Sequence, residues 1–202
     1  MLVLLKVAVT GGLACGKTSV CRVLAEYGAC VVDADKLVHN LLSHDKAIGK
    51  KVIALLGAHV LVKGKLDRGE IARAVFSDAE KLISLESILH PALKEKIEDI
   101  YISCTKACPP PPFFVVEIPL LYEAHFDHFY DIVVAVVADE NLCRSRFTAK
   151  TGCSAEEYDK RMLRQMPVTQ KANLADYVLL NNGDMGLLEK NTIKLIKELS
   201  SQ

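Results

Sequence analysis

Residues 2–9 are apolar except for Lys6. A near-continuous run of this kind marks a strand buried on both faces, as in the middle of a parallel sheet. A Gly-rich loop follows at 11–16, and residues 17–27 then place Val20, Val23 and Leu24 on one face of a helix that Gly28 stops. Residues 30–32 read as a short second strand ending at Asp33. From Lys36 to about Ala107 the pattern changes. Amphipathic helical spacing recurs at 71–76, 79–89 and 92–103, and residues 57–65 suit a small hairpin or loop. This stretch is too long for one crossover helix, so it predicts a helical subdomain inserted into the core. Four prolines at 109–112 end it. They read as a stiff linker rather than a polyproline ligand for an SH3-like partner.

The alternation resumes with a buried strand at 113–117, ending on Glu117, and another at 131–137. Residues 140–165 carry two helical patterns separated by Gly152, with Arg144, Arg146, Lys150, Arg161 and Arg164 along them. A last strand at 177–180, a turn at Asn181, Asn182 and Gly183, and a helix at 185–199 complete the chain. Strand and helix in alternation predict an α/β fold, a parallel sheet with helices on both faces in three layers. The expected division is a core of residues 1–35, 108–139 and 170–202, an inserted helical subdomain at 36–107 and a helical lid at 140–169.

The chemistry concentrates in Gly11, Gly12, Leu13, Ala14, Cys15, Gly16, Lys17 and Thr18, which fit G-x-x-x-x-G-K-[ST] between an apolar strand and a helix. Glycines let the backbone curl so that successive N–H groups point at phosphate oxygens. The following helix adds its positive end. Lys17 is placed to reach the β- and γ-phosphates and the Thr18 hydroxyl to hold Mg²⁺. The loop is thus expected to bind ATP, as in P-loop NTPases. No N-K-x-D guanine motif is present, which leaves ATPases and small-molecule kinases.

A kinase needs a base, an acceptor pocket and a basic lid. Asp33 lies just past the second strand, at the edge where open parallel sheets bind ligands, and suits a general base. Asp35 is expected to cap the next helix. Glu117, after four apolar residues, resembles a Walker B carboxylate that orients Mg²⁺ or its water, and Glu123 is a weaker acceptor-side candidate. The basic residues along 140–165 suit a solvated helix face, and some of them suit cations that close over the phosphates of a kinase.

Composition narrows the partners. Lys plus Arg and Asp plus Glu number 25 each, a neutral balance that argues against a nucleic-acid binder. Seven cysteines without a C-x-x-C pair read as reduced thiols in a cytoplasmic protein rather than a disulfide framework or a zinc ribbon. The first nine residues run into glycines and read as a strand, not a signal peptide. No apolar run reaches membrane-spanning length, and no obligatory protein partner is evident.

Several short pieces, taken in order, resemble the dephospho-CoA kinase family over nearly the whole chain. They are Thr10-Gly11-Gly12 with Gly16-Lys17-Thr18, Val32-Asp33-Ala34-Asp35, Leu66-Asp67-Arg68, Val75-Phe76, Leu89-His90-Pro91, Ile118 to Glu123, Arg161 with Gln165-Met166, and Ala175-Asp176 with Asn181-Asn182-Gly183. The resemblance implies a P-loop kinase fold with a helical CoA domain and a lid, phosphorylating the 3′-hydroxyl of dephospho-CoA with ATP. It implies Asp33 as the base, Lys17 and Thr18 as phosphate and Mg²⁺ ligands, and Arg68 and His90 in the acceptor pocket. Arg146 and Arg161 match lid positions, Asn181 a turn near the adenine, and Pro119, Leu120 and Leu121 a wall of the acceptor site. The alternatives are a kinase of another hydroxyl or nucleoside acceptor and a silent nucleotide-binding module. The chain departs from the family pattern at Leu13, Ala14 and Cys15, at Lys150 where arginine is common, and at Glu117 where aspartate is frequent. Lys150 keeps the charge without the bidentate fork. Ala14 fits only with a negative φ, because a positive φ costs a non-glycine roughly 1 kcal/mol or more.

Overall fold

The computed structural model describes residues 4–76 and 78–201. Leu2 and Val3 of the expected first strand lie outside the described residues. The chain forms two units, one made of the chain up to Val32 and from Cys104 onward, the other of Asp33–Ser103.

The first unit holds the sheet. Its strands are β1 (Lys6–Gly11), β2 (Cys30–Asp33, whose last residue opens the second unit), β5 (Phe114–Glu117), β6 (Ile132–Val137) and β7 (Tyr177–Leu180), in spatial order β2-β5-β1-β6-β7. β1 pairs in parallel with β5 and β6, and β6 with β7. Val7, Ala8 and Val9 in β1 and Val134, Ala135 and Val136 in β6 are fully buried. Both faces are covered, which is why these strands read as unbroken apolar runs. On one face Val7, Val9, Val115, Val134 and Val136 pack on α1 (Lys17–Glu26) and α9 (Met185–Leu199) through Val20, Leu24, Leu188 and Leu195. The same core takes in Phe147 of α6 (Glu140–Thr151) and Tyr158 of α7 (Ala155–Met162). Gly152, at φ 70, caps α6, so the two helical patterns break where the sequence predicts. A further helix, α8 (Val168–Leu174), packs beside β1 and β6; the sequence pattern did not announce it.

The second unit is helical, as expected. It contains α2 (Ala34–His44), α3 (Lys46–Leu56), α4 (Arg68–Phe76) and most of α5 (Ala79–Thr105). Leu42, Ile48, Val52, Leu56, Ile71, Leu85 and Leu89 form its core. Of the hairpin or loop expected at 57–65, the hairpin forms: β3 (Leu61–Val62) and β4 (Lys65–Leu66) are antiparallel across Lys63 and Gly64, both at positive φ. That is the geometry of a tight two-residue turn. One expectation fails. The patterns at 79–89 and 92–103 are a single helix with Pro91 inside it. Leu85, Leu89, Leu93 and Ile97, four apart, keep one buried stripe running through the proline. Pro91 itself is exposed, so burial on the opposite side outweighs the one missing N–H.

No helix among the described residues is long and apolar enough to cross a membrane.

Candidate active site

The loop after β1 has glycine where no other residue fits. Gly11 has φ 140 and Gly16 φ 102. A Cβ at Gly11 would strike the Val136 carbonyl on β6, and one at Gly16 the side-chain amide of Asn181. Ala14 has φ 58. The sequence expectation of a negative φ is therefore overturned, and a residue with a Cβ carries the left-handed turn. Leu13 and Ala14 pack on the core beneath the loop, which holds the strained conformation in place. α1 then begins with no acidic residue and no capping side chain in its first turn. Its positive end is left for an anion.

Lys17 is buried, and its ammonium donates to the carbonyls of Gly11 at 3.2 Å and Gly12 at 2.8 Å. The Thr18 hydroxyl donates to Oε1 of Glu117 at 2.9 Å. Among the described residues no group of three His, Cys, Asp or Glu could hold a metal ion. A hydroxyl beside one carboxylate instead suits Mg²⁺, which takes few protein oxygens and completes its shell with phosphate and water.

Asn181 braces the loop. Its side-chain amide donates to the Cys15 carbonyl at 2.8 Å, and its own carbonyl accepts from Arg146 at 3.0 Å. One buried residue thus ties α6 to the phosphate loop. The thiols of Cys15 and Cys143 add a second tie, 3.1 Å apart and both buried. The Cys143 thiol, bonded to Cys15, pulls the latter down to about 6 against the effect of burial, and Cys143 rises in consequence.

The other basic residues separate by role. Arg144 joins α6 to α7 through Asp159 at 2.6 Å. Arg161 donates to Glu157 at 3.1 Å, stacks over Phe147 and stays half exposed. Lys150 is exposed in the last turn of α6.

Asp33, Arg68 and His90 belong to the second unit. Asp33 is the N-cap of α2: it accepts from the backbone of Lys36 at 3.0 Å and pairs with its ammonium at 3.2 Å. The cap falls to Asp33 and not to Asp35, which lies inside the first turn. The helix starts one residue after the strand ends, leaving no room for a later cap. Arg68 opens α4 and is exposed; His90 is half-buried in α5.

The segment after β5 is pinned through one carbonyl. Pro119 accepts from the Thr10 hydroxyl at 3.3 Å and from the Lys171 ammonium at 2.6 Å. Leu120 is exposed, whereas Leu121 is fully buried in the core. Of the two leucines expected to wall the acceptor site, only Leu120 presents its side chain outward. Glu123, expected on the acceptor side, instead accepts from the Met166 backbone at 2.7 Å and pairs with Lys171 at 2.9 Å. Sequence reasoning missed Lys171. Pro167 before Val168 was the available signal for its helix, but nothing in the sequence marks the ion pair.

The comparisons with known proteins agree along nearly the whole chain. Residues 5–186 match the dephospho-CoA kinase family model. The dephospho-CoA kinase of Protochlamydia amoebophila is 45% identical over 199 residues, 98% of this chain and 98% of its own. A crystal structure from Thermus thermophilus superposes with a TM-score of 0.84 at 31% identity, covering 97% of this chain and 98% of that one. Dephospho-CoA kinase from Campylobacter jejuni superposes at 0.72 with 25% identity, covering 97% of each chain.

Proposed function

The chain belongs to the dephospho-CoA kinase family, and from that membership we propose how its residues move the γ-phosphoryl of ATP to the 3′-hydroxyl of dephospho-CoA. The observation that carries the reading is the phosphate loop with Lys17 buried at its mouth and Thr18 bonded to Glu117. Backbone N–H groups from Gly11 to Thr18 and the start of α1 hold the triphosphate. Lys17 shifts its donors from loop carbonyls to phosphate oxygens. Thr18 would hold Mg²⁺, with Glu117 orienting it from behind. When bound, the ion offsets charge on the β- and γ-phosphates.

Asp33 accepts the proton of the attacking hydroxyl. Its partner Lys36 is largely exposed, so that pairing is easily exchanged. Arg146 and Arg161 face the transferring group, and Arg68 and His90 hold the acceptor, with Pro119 and Leu120 along its wall. Asn181 serves the nucleotide by fixing the loop. In this reading residues 1–35, 108–139 and 170–202 are the nucleotide core, 36–107 the acceptor domain and 140–169 the lid. A cytoplasmic setting, with the thiols reduced, suits the seven free cysteines.

A coupled assay of ADP release tests the substrate. Dephospho-CoA should stimulate release well above adenosine or pantetheine, and equal rates with all three would refute the assignment. Asp33→Asn should keep ATP binding and lower turnover by about 10²-fold or more. Near-normal turnover would remove Asp33 as the base.

A further inference from the structure

Lys171 on α8 is fully buried, ammonium included. A methionine would fill the same space without the cost of burying a charge. What distinguishes lysine there is where its hydrogen bonds go. One reaches the Pro119 carbonyl at 2.6 Å, two residues past Glu117. The other reaches Glu123 Oε1 at 2.9 Å, and that same oxygen holds the backbone N–H of Met166, where the chain returns from α7. The helix bearing Lys171 begins at Val168, whose side chain lies so close to Gly12 that a Cβ there would collide with it. Thr10, the residue before the phosphate loop, donates to the same Pro119 carbonyl.

We infer that Lys171 is a positioning residue that fixes the Pro119–Leu120 segment and the segment returning from α7 through Met166 relative to the phosphate loop. Its two contacts hold Pro119, on the proposed acceptor wall, and Glu123, which in turn holds Met166; a displacement of about 1 Å in such a positioning segment can cost roughly 10²-fold in rate. Glu123 is its counter-charge and carries the same register to Met166. The inference rests on the kinase reading given above.

Removing Glu123 alone would leave the fully buried Lys171 ammonium without its counter-charge, which can unfold the protein. The informative variant is the double change Lys171→Met with Glu123→Gln, which removes both charges and keeps an acceptor for Met166. The measurements are thermal midpoint, KM for ATP, kcat with dephospho-CoA, and CoA formed per ADP released. The expected result is a midpoint and a KM for ATP near wild type, kcat lower by about tenfold or more, and less than one CoA per ADP as water takes part of the phosphoryl groups. A folded double variant with wild-type kcat and full coupling overturns the inference. Should the double variant not fold, Lys171→Met alone carries the test, because Glu123 is partly exposed and keeps the Met166 N–H; the same fall in coupling is expected, and unchanged coupling overturns the inference. If the wild-type protein makes no CoA, it is the kinase reading that falls.

Discussion

Replacing Ala14 with glycine separates backbone strain from the ordinary cost of adding a glycine. The left-handed conformation at φ 58 costs alanine roughly 1–2 kcal/mol, which glycine does not incur. Against that, glycine gains freedom in the unfolded chain worth about 0.4–1 kcal/mol. The half-buried methyl of Ala14, packed on the core under the loop, forfeits about 0.4 kcal/mol when removed. The net effect falls between a loss of about 0.4 and a gain of about 1.2 kcal/mol in folding stability. At a negative φ the same change would lose about 1 kcal/mol or more. Urea unfolding of both proteins, with the slope unchanged between them, reads the difference directly. A loss of a full kcal/mol or more would refute the left-handed assignment and the strain with it.

Glu117→Gln should raise the Mg²⁺ concentration for half-maximal activity by about tenfold or more, and an unchanged Mg²⁺ titration would remove Glu117 from the metal site. Asn181→Ala takes the side-chain donor from the Cys15 carbonyl and should cost about 1–3 kcal/mol in urea unfolding, together with a higher KM for ATP; wild-type values in both would show that the brace does not matter. Cys15 is drawn from the ordinary 9.0 to about 6 by the Cys143 thiol. A group with its folded pKa lowered adds stability that is complete above pH 9.0 and is lost as the pH falls through about 6. Stability should therefore rise more steeply from pH 6 to 9 in wild type than in Cys15→Ser, with one thiolate appearing by ultraviolet absorbance near the lower value. Superimposable profiles would contradict the shift.

The parts legible in the sequence were those set by local chemistry. Buried parallel strands announce themselves as unbroken apolar runs, so β6 and β7 were placed within a residue. The loop from Gly11 to Thr18 was legible because phosphate binding demands its glycines and its lysine at fixed spacing. Asp33 and Asp35 were harder: either suits a cap by type, and only the abrupt passage from β2 to α2 decides between them. Pro91 misled because a local rule against proline yielded to a buried stripe that spans it. Lys171 and Glu123 are 48 positions apart and both look like surface residues by type; their pairing exists only after α8 has packed beside the sheet. The φ of Ala14 follows from loop closure and packing, which no residue type encodes.

The most direct measurement is identification of the reaction product. The protein is incubated with ATP, Mg²⁺ and dephospho-CoA, and the acceptor is recovered for phosphorus NMR. The account predicts a new phosphomonoester on the ribose 3′-hydroxyl, formed in step with ADP and identical to CoA. ADP accompanied by inorganic phosphate alone, or a phosphate at any other position of the acceptor, would contradict it.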